Sequence, residues 1–209
     1  SLSNAKTPKG NKNGTSGWYN TEEFERQAKE HGLLGISLYG DAFSHKTKQE
    51  VCHTISRELG KIDLVIYSIA AGRRKDPCTD VIHKAVIKPV YKPVTGKTID
   101  LYSGSLREIS FEPATDLDIF NTIKVMGGED WLLWLKALFH ADLLTDNCKT
   151  VAFSYIGPEI TSPIYRFGTL GKAKQHLEQT VTDINALLAP IAGKAYVSVN
   201  KALVTKSSS

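Results

Sequence analysis

The apolar positions of this chain change period along its length, and the changes mark its elements. Val51, Ile55 and Leu59 recur every fourth residue, the spacing of one helix face. They predict a helix that starts at a Ser44 cap, runs to about Leu59 and stops at Gly60. Lys61-Ile-Asp-Leu-Val-Ile-Tyr-Ser-Ile-Ala70 is nearly continuous in apolar residues, the pattern of a parallel strand covered on both sides. Leu33–Tyr39, Thr150–Ser154 and Ala195–Val199 predict further strands. Further helices are predicted from Asn20 to about His31, with Asn20 as cap and Glu22 and Glu23 at its positive end, over Thr115–Val125, over Glu129–Ala141 and over Leu170–Leu188. Trp131, Leu132, Trp134, Leu135 and Leu138 supply apolar bulk at core spacing. Strands alternating with helices predict an α/β fold, a doubly wound parallel Rossmann-like sheet.

Two segments depart from that alternation. Residues 72–113 hold Pro77, Pro89, Pro93 and Pro113, and Val94-Thr-Gly-Lys-Thr-Ile99 reads as a hairpin turn between alternating runs. The segment is expected to be a Pro-rich insertion with a β-hairpin, lying near the active site at the edge of the sheet. Residues 1–17 are polar. Their Gly10, Gly14 and Gly17 have no strand before them, so they do not form the glycine-rich turn with which a dinucleotide-binding sheet begins. In the usual strand order 3-2-1-4-5-6, the strand at 33–39 is the third and that at 62–69 the fourth. Residues 1–209 are therefore expected to be the central part of one NAD(P)-binding domain, lacking its first strand, with a gap of roughly 14 Å between those two strands. Alone, such a piece is expected neither to fold stably nor to bind a dinucleotide.

Composition narrows the function without naming it. The net charge of +4 suits a phosphate-bearing small molecule, and no segment is basic enough to argue for nucleic acid. The three cysteines are widely spaced and odd in number, as expected of reduced thiols in a cytoplasmic protein. The six histidines are scattered without metal-ligand spacing, and no apolar run has membrane length.

Candidate chemistry lies in one stretch, Phe153 to Lys174. It leaves a strand, crosses a Gly/Pro-rich turn bearing Tyr155 and Tyr165, and enters a helix bearing Lys172 and Lys174. A phenol held near an ammonium is biased toward ionisation and becomes a usable proton donor near neutral pH.

Gly14-Thr-Ser-Gly-Trp-Tyr-Asn20, Gly40-Asp-Ala-Phe-Ser44, Asp63-Leu-Val-Ile-Tyr-Ser-Ile-Ala70, Val125-Met-Gly-Gly-Glu-Asp-Trp131, the Tyr155–Lys174 run and Ala202-Leu-Val-Thr205 span most of the chain. In this order they resemble the FabV/TER family of trans-2-enoyl reductases, large monomeric relatives of the short-chain dehydrogenases. The most specific points are Met-Gly-Gly-Glu-Asp-Trp and the Tyr-x8-Lys spacing of Tyr165 and Lys174, where ordinary short-chain dehydrogenases use Tyr-x3-Lys.

The resemblance implies reduction of an enoyl-ACP or enoyl-CoA in fatty-acid synthesis, with NADH as cofactor and no metal. It implies Tyr165 as proton donor, Lys174 as the residue that holds the nicotinamide ribose and biases the tyrosine, and Tyr155 against the thioester carbonyl. Asp41 and Ala42 would lie against the adenine, Ile69 and Ala70 along the cofactor cleft, and Leu203, Val204 and Thr205 by the nicotinamide. Asn4 and Ala5 stand where many members carry an acidic residue for the adenosine ribose, and Lys6 is close by, which leaves NADPH open beside NADH. A carbonyl reductase of the short-chain type and a non-catalytic nucleotide-binding module are the rival readings. Tyr-x8-Lys and the second tyrosine argue against the first. Retention of Tyr155, Tyr165 and Lys174 together argues against the second.

Overall fold

The computed structural model describes residues 16–100 and 103–201. Along the chain, helices α1 (Ser16–Glu30) and α2 (His45–Glu58) lead to strand β1 (Ile62–Tyr67). Two hairpins follow, β2 (Arg73–Lys75) with β3 (Ile82–Lys84) and β4 (Val94–Ile99) with β5 (Leu106–Phe111). Helices α3 (Asp116–Met126) and α4 (Glu129–His140), strand β6 (Leu144–Ile156), helix α5 (Thr169–Leu188) and strand β7 (Lys194–Lys201) complete the order. Strands β1, β6 and β7 form one parallel sheet in that spatial order. Each parallel step is bridged by helices, α3 and α4 between β1 and β6 and α5 between β6 and β7, as parallel pairing requires.

The core lies between this sheet and one layer of helices. Trp131, Leu135 and Leu138 of α4 and Leu177, Ile184 and Leu188 of α5 pack on Cys148 and Ala152 of β6 and Ala195 of β7. Trp131 has no exposed surface, and its indole N–H donates to Thr150 Oγ1 at 2.9 Å. Truncating such a residue to alanine costs about 3–5 kcal/mol. The opposite face is open: Leu64, Ile66, Phe153 and Tyr196 each leave about half their surface exposed. The expectation that β1 is covered on both sides is therefore corrected for the described residues, in which the helices touching the sheet lie on one face.

The Met126-Gly-Gly-Glu-Asp-Trp131 run is the joint between α3, α4 and α5. A side chain at Gly127 would come within 2.6 Å of the Ile123 carbonyl oxygen, and one at Gly128 would overlap Thr180. The Gly128 N–H donates to His176 Nδ1 at 3.0 Å. Glu129 takes Arg74 Nη1 at 2.6 Å and Lys124 Nζ at 2.7 Å, tying the β2–β3 hairpin to α3 and α4.

Three other expectations change. Residues 33–39 form no strand. Leu33 N–H donates to Ala28 O at 2.8 Å and Gly35 packs on Ala28, so the segment folds back over α1 and no described strand pairs with it. The expected pair of strands on either side of a gap of roughly 14 Å is therefore not formed among the described residues. Val94–Ile99 is itself a strand, and the chain reverses between Asp100 and Ser105. There Gly104 takes φ +69° and donates to Asp100 O at 2.8 Å. Helix α1 begins at Ser16, so Asn20 lies within its second turn and does not cap it. Ser44 does cap α2, accepting from Thr47 N at 3.1 Å.

Candidate active site

Strand β6 ends beside the first turns of α5, and the residues between them make a compact turn. A short 3-10 segment (Glu159–Thr161) sets its first half, and Tyr165 N–H donates to Thr161 O at 2.9 Å. The Tyr165 carbonyl in turn accepts from Gly171 N–H at 2.8 Å, which fixes the tyrosine backbone on the first turn of α5. A side chain at Gly171 would overlap the Arg166 carbonyl, so this close approach requires glycine. The insertion holds the same point from the other side. Thr169, fully buried, donates its N–H to Lys88 O at 2.9 Å and its hydroxyl to Val86 O, and Pro89 bridges Gly168.

Tyr155, Tyr165 and Lys174 therefore face one cavity of about 210 Å³, which Gly157, Arg166, Gln175 and Glu178 also line. The two phenol rings lie 6.1 Å apart. Lys174 Nζ donates to Ser154 Oγ at 3.0 Å and sits 4.0 Å from the Tyr155 ring centroid, a cation on the ring face. Burial lowers the Lys174 amine below the ordinary lysine value, and the Glu178 carboxylate partly offsets this. Burial raises the Tyr155 phenol, with Tyr165 adding to the rise. The cavity thus holds phenols and an amine that can give protons to an oxygen in a low-dielectric site.

A second hollow, about 670 Å³, runs along the free edge of β1 between α2 and α4. Asp41 and Ala42 line one wall, and Ile69 and Ala70, where the chain leaves β1, line the other. All four sequence-predicted residues of the adenine side and the central cleft thus share one groove at the carboxyl end of a parallel strand, where open α/β sheets take their ligands. Asp41 Oδ1 accepts from Phe43 N–H at 3.0 Å, which orients the carboxylate at the mouth of the groove. Leu203, Val204 and Thr205 lie outside the described residues, as do Asn4, Ala5 and Lys6.

A buried polar network behind this groove has no local signature in the sequence. Lys48 Nζ reaches Asp130 Oδ1 at 2.8 Å, Ala42 O at 2.9 Å and Phe43 O at 3.1 Å. The Tyr67 hydroxyl donates to Asp130 Oδ2 at 3.2 Å. Burial, together with the neighbouring carboxylate, raises the Tyr67 phenol far above its ordinary value. Lys48 and Asp130 stand 82 positions apart, and only the signature-like run around Asp130 hints at a constraint. Ser154, which accepts from Lys174, carries no motif of its own in the sequence beyond its place one residue before Tyr155.

Cys52, Cys78 and Cys148 are free thiols. Among the described residues, no group of three or more His, Cys, Asp or Glu side chains could hold a metal ion. Among the same residues, no helix is long and apolar enough to cross a membrane.

The chain is similar to known reductases over most of its length. It is 52% identical over 198 residues to an enoyl-[acyl-carrier-protein] reductase [NADH] of Flavobacterium psychrophilum, covering 95% of this chain and 50% of that protein. It is 50% identical over 198 residues to a trans-2-enoyl-CoA reductase [NADH] of Ruminiclostridium cellulolyticum, with the same two coverages, 95% and 50%. A crystal structure of the Treponema denticola trans-2-enoyl-CoA reductase in complex with NAD superposes with a TM-score of 0.88 at 46% identity, covering 98% of this chain and 50% of that one. The chain thus spans about half the length of the curated relatives it matches. Residues 12–209 match the family described as the trans-2-enoyl-CoA reductase catalytic region, and the chain belongs to that family.

Proposed function

We propose that this chain supplies the catalytic tyrosines and much of the cofactor cleft of an NADH-dependent reductase of enoyl thioesters, carried on CoA or on acyl carrier protein. The observation that carries the reading is the convergence of Tyr155, Tyr165 and Lys174 on one cavity at the end of β6. That convergence depends on the turn that makes Tyr-x8-Lys workable. With three intervening residues, tyrosine and lysine share one helix face. Here Tyr165 precedes α5, and the Gly171–Tyr165 backbone bond brings it alongside Lys174.

The groove beside Asp41, Ala42, Ile69 and Ala70 fits the adenosine half of a dinucleotide. It offers a buried small residue where a ring plane can lie flat, a carboxylate at its mouth and an apolar floor. When bound, NADH supplies the hydride that adds to the β-carbon of the substrate. Asp41 and Ala42 hold the adenine end. Lys174 holds the nicotinamide ribose, with its ammonium resting on the face of the Tyr155 ring. Tyr155 contacts the thioester carbonyl. As charge builds on that oxygen, Tyr155 and Tyr165 stabilise it, with Tyr165 as the proton donor. Leu203, Val204 and Thr205 would complete the nicotinamide side.

Within this reading, residues 72–113 are an insertion that braces the turn through Lys88, Pro89 and Thr169. The protein acts as a cytoplasmic monomer in fatty-acid synthesis, without nucleic acid or metal. Turnover of crotonyl-CoA by the whole protein, with NADH and NADPH in parallel, tests the reaction. NADH oxidation that requires the enoyl substrate supports it. Failure with either reduced nicotinamide, on crotonyl-CoA and on a crotonyl-carrier protein alike, removes it.

A further inference from the structure

The Lys48–Asp130 pair lies behind the adenine wall of the groove and is almost sealed from solvent, at 2% and 1% exposure. A buried ion pair is a weak source of stability, because desolvation offsets most of the attraction. Its geometry here does something an apolar pair could not. The three protons of the ammonium are all placed: one on Asp130 Oδ1, one on the Ala42 carbonyl and one on the Phe43 carbonyl. The free oxygen of Asp130 takes the Tyr67 hydroxyl. Trp134 covers the ammonium, its ring centroid 4.9 Å from Nζ. One charge pair, spanning α2 and α4, thereby grips the backbone of the Ala42–Phe43 turn and the last residue of β1. Beyond Tyr67 the chain continues as Ser68-Ile69-Ala70, the opposite wall.

We propose that Lys48, Asp130 and Tyr67 are positioning residues that fix the distance between the two walls of the groove, and so set how tightly the adenosine half of the cofactor is held. The inference rests on the reading above that this groove takes NADH. Lys48 and Asp130 do not line the groove, and Tyr67 lines it but turns its hydroxyl to Asp130. Lys48 acts through the carbonyls of Ala42 and Phe43, and Asp130 acts through Lys48 and Tyr67.

The test uses the whole protein and measures binding of NADH and of ADP-ribose, which carries only the adenosine side. Lys48→Met with Asp130→Asn removes both charges together, so neither is stranded, and asparagine keeps an acceptor for Tyr67. Binding of both ligands is expected to weaken roughly tenfold, the scale of losing hydrogen bonds from a charged donor. The rate with reduced nicotinamide mononucleotide, which lacks adenosine, is expected to stay within about twofold, as for sites that do not couple. A folded variant with unchanged ADP-ribose affinity overturns the proposal. So does an equal loss with the mononucleotide.

Should the double variant fail to fold, Tyr67→Phe decides, because it keeps the charge pair and cuts only the tether to β1. About threefold weaker ADP-ribose binding supports the proposal and no change overturns it. Wild-type protein that binds neither ligand removes both this inference and the cofactor reading. Wild-type protein that binds both but does not reduce crotonyl-CoA removes only the reaction, and the binding measurements still decide the role of the pair.

Discussion

The amine of Lys174 rests on the face of the Tyr155 ring, 4.0 Å from its centroid, and not on a phenol oxygen. Its hydrogen bond goes to Ser154 Oγ. The cation that serves the site is therefore held by the residue preceding the first tyrosine, one turn of chain away from the second. This arrangement gives the two tyrosines different neighbours, because Tyr155 carries the lysine on its ring face while Tyr165 lines the cavity beside it.

Replacing Tyr165 by phenylalanine removes only the hydroxyl. Its backbone bonds to Thr161 and Gly171 remain, so the melting temperature is expected to be unchanged while turnover falls roughly a hundredfold or more, the scale of losing a general acid. Steady-state kinetics beside a thermal melt checks this. Near-wild-type turnover would take the donor role from Tyr165.

Lys174→Ala is expected to weaken NADH binding and turnover together, and Lys172→Ala to change neither by much. Lys172 points elsewhere on α5, its Nζ 5.8 Å from the Tyr91 ring centroid on the insertion. Cofactor titration of both variants separates them. Equal losses would show that the wrong lysine has been given the ribose.

Gly171→Ala is expected to cost about 1–3 kcal/mol or more, since the new methyl would overlap the Arg166 carbonyl and lie 3.0 Å from the Tyr165 carbonyl, both backbone atoms that cannot swing away. Activity should fall with it, because the same contact places Tyr165. At Gly72 nothing lies within 4 Å of the added carbon, so Gly72→Ala is the neutral comparison. Denaturant unfolding of the two variants measures the difference.

Much of the frame could be read from the chain because its signals are local. The Ser44 cap, the apolar run of β1 and the Tyr165–Lys174 turn all act within a dozen residues. The errors came where a local signal met a distant constraint. Gly96 made Val94–Ile99 look like a turn, but pairing with Leu106–Phe111 makes it a strand. Leu33–Tyr39 has the composition of a strand, yet the described residues give it no neighbour to pair with, and it lies over α1 instead. The Lys48–Asp130 pair left no trace because nothing in a sequence links positions so far apart. For the same reason Asp130 read as part of a signature and not as one half of a buried charge pair.

Alkaline pH offers a check on the buried phenols. Tyr67 and Tyr155 are both raised from the ordinary value of 10.0. The native state keeps two protons that the unfolded chain gives up above pH 10. Their contribution to stability is therefore complete below pH 10 and is lost as pH rises beyond it, at most about 1.4 kcal/mol per pH unit for each group. Lys174, lowered by burial, works in the opposite sense and gains as pH climbs toward 10.5. Tyr67 should ionise only as the protein unfolds, and Tyr155 later than a free phenol, which ultraviolet absorbance can follow. Tyr67→Phe and Tyr155→Phe should each remove part of that late change. Ionisation of Tyr67 before the protein unfolds would contradict it.

The three bonds of the Lys48 ammonium also decide its chemical reactivity. A lysine attacks an acylating or alkylating reagent through its nitrogen lone pair, and Lys48 has that pair tied up by a proton shared with Asp130 and has almost no surface through which a reagent could reach it. It should stay unlabelled for as long as the fold holds. Lys174, with a lowered proton affinity and an open cavity before it, should label early and be shielded by whatever fills that cavity. Lys48 and Lys174 thus form a built-in pair of reporters. One records whether the chain is folded, and the other records whether its site is occupied.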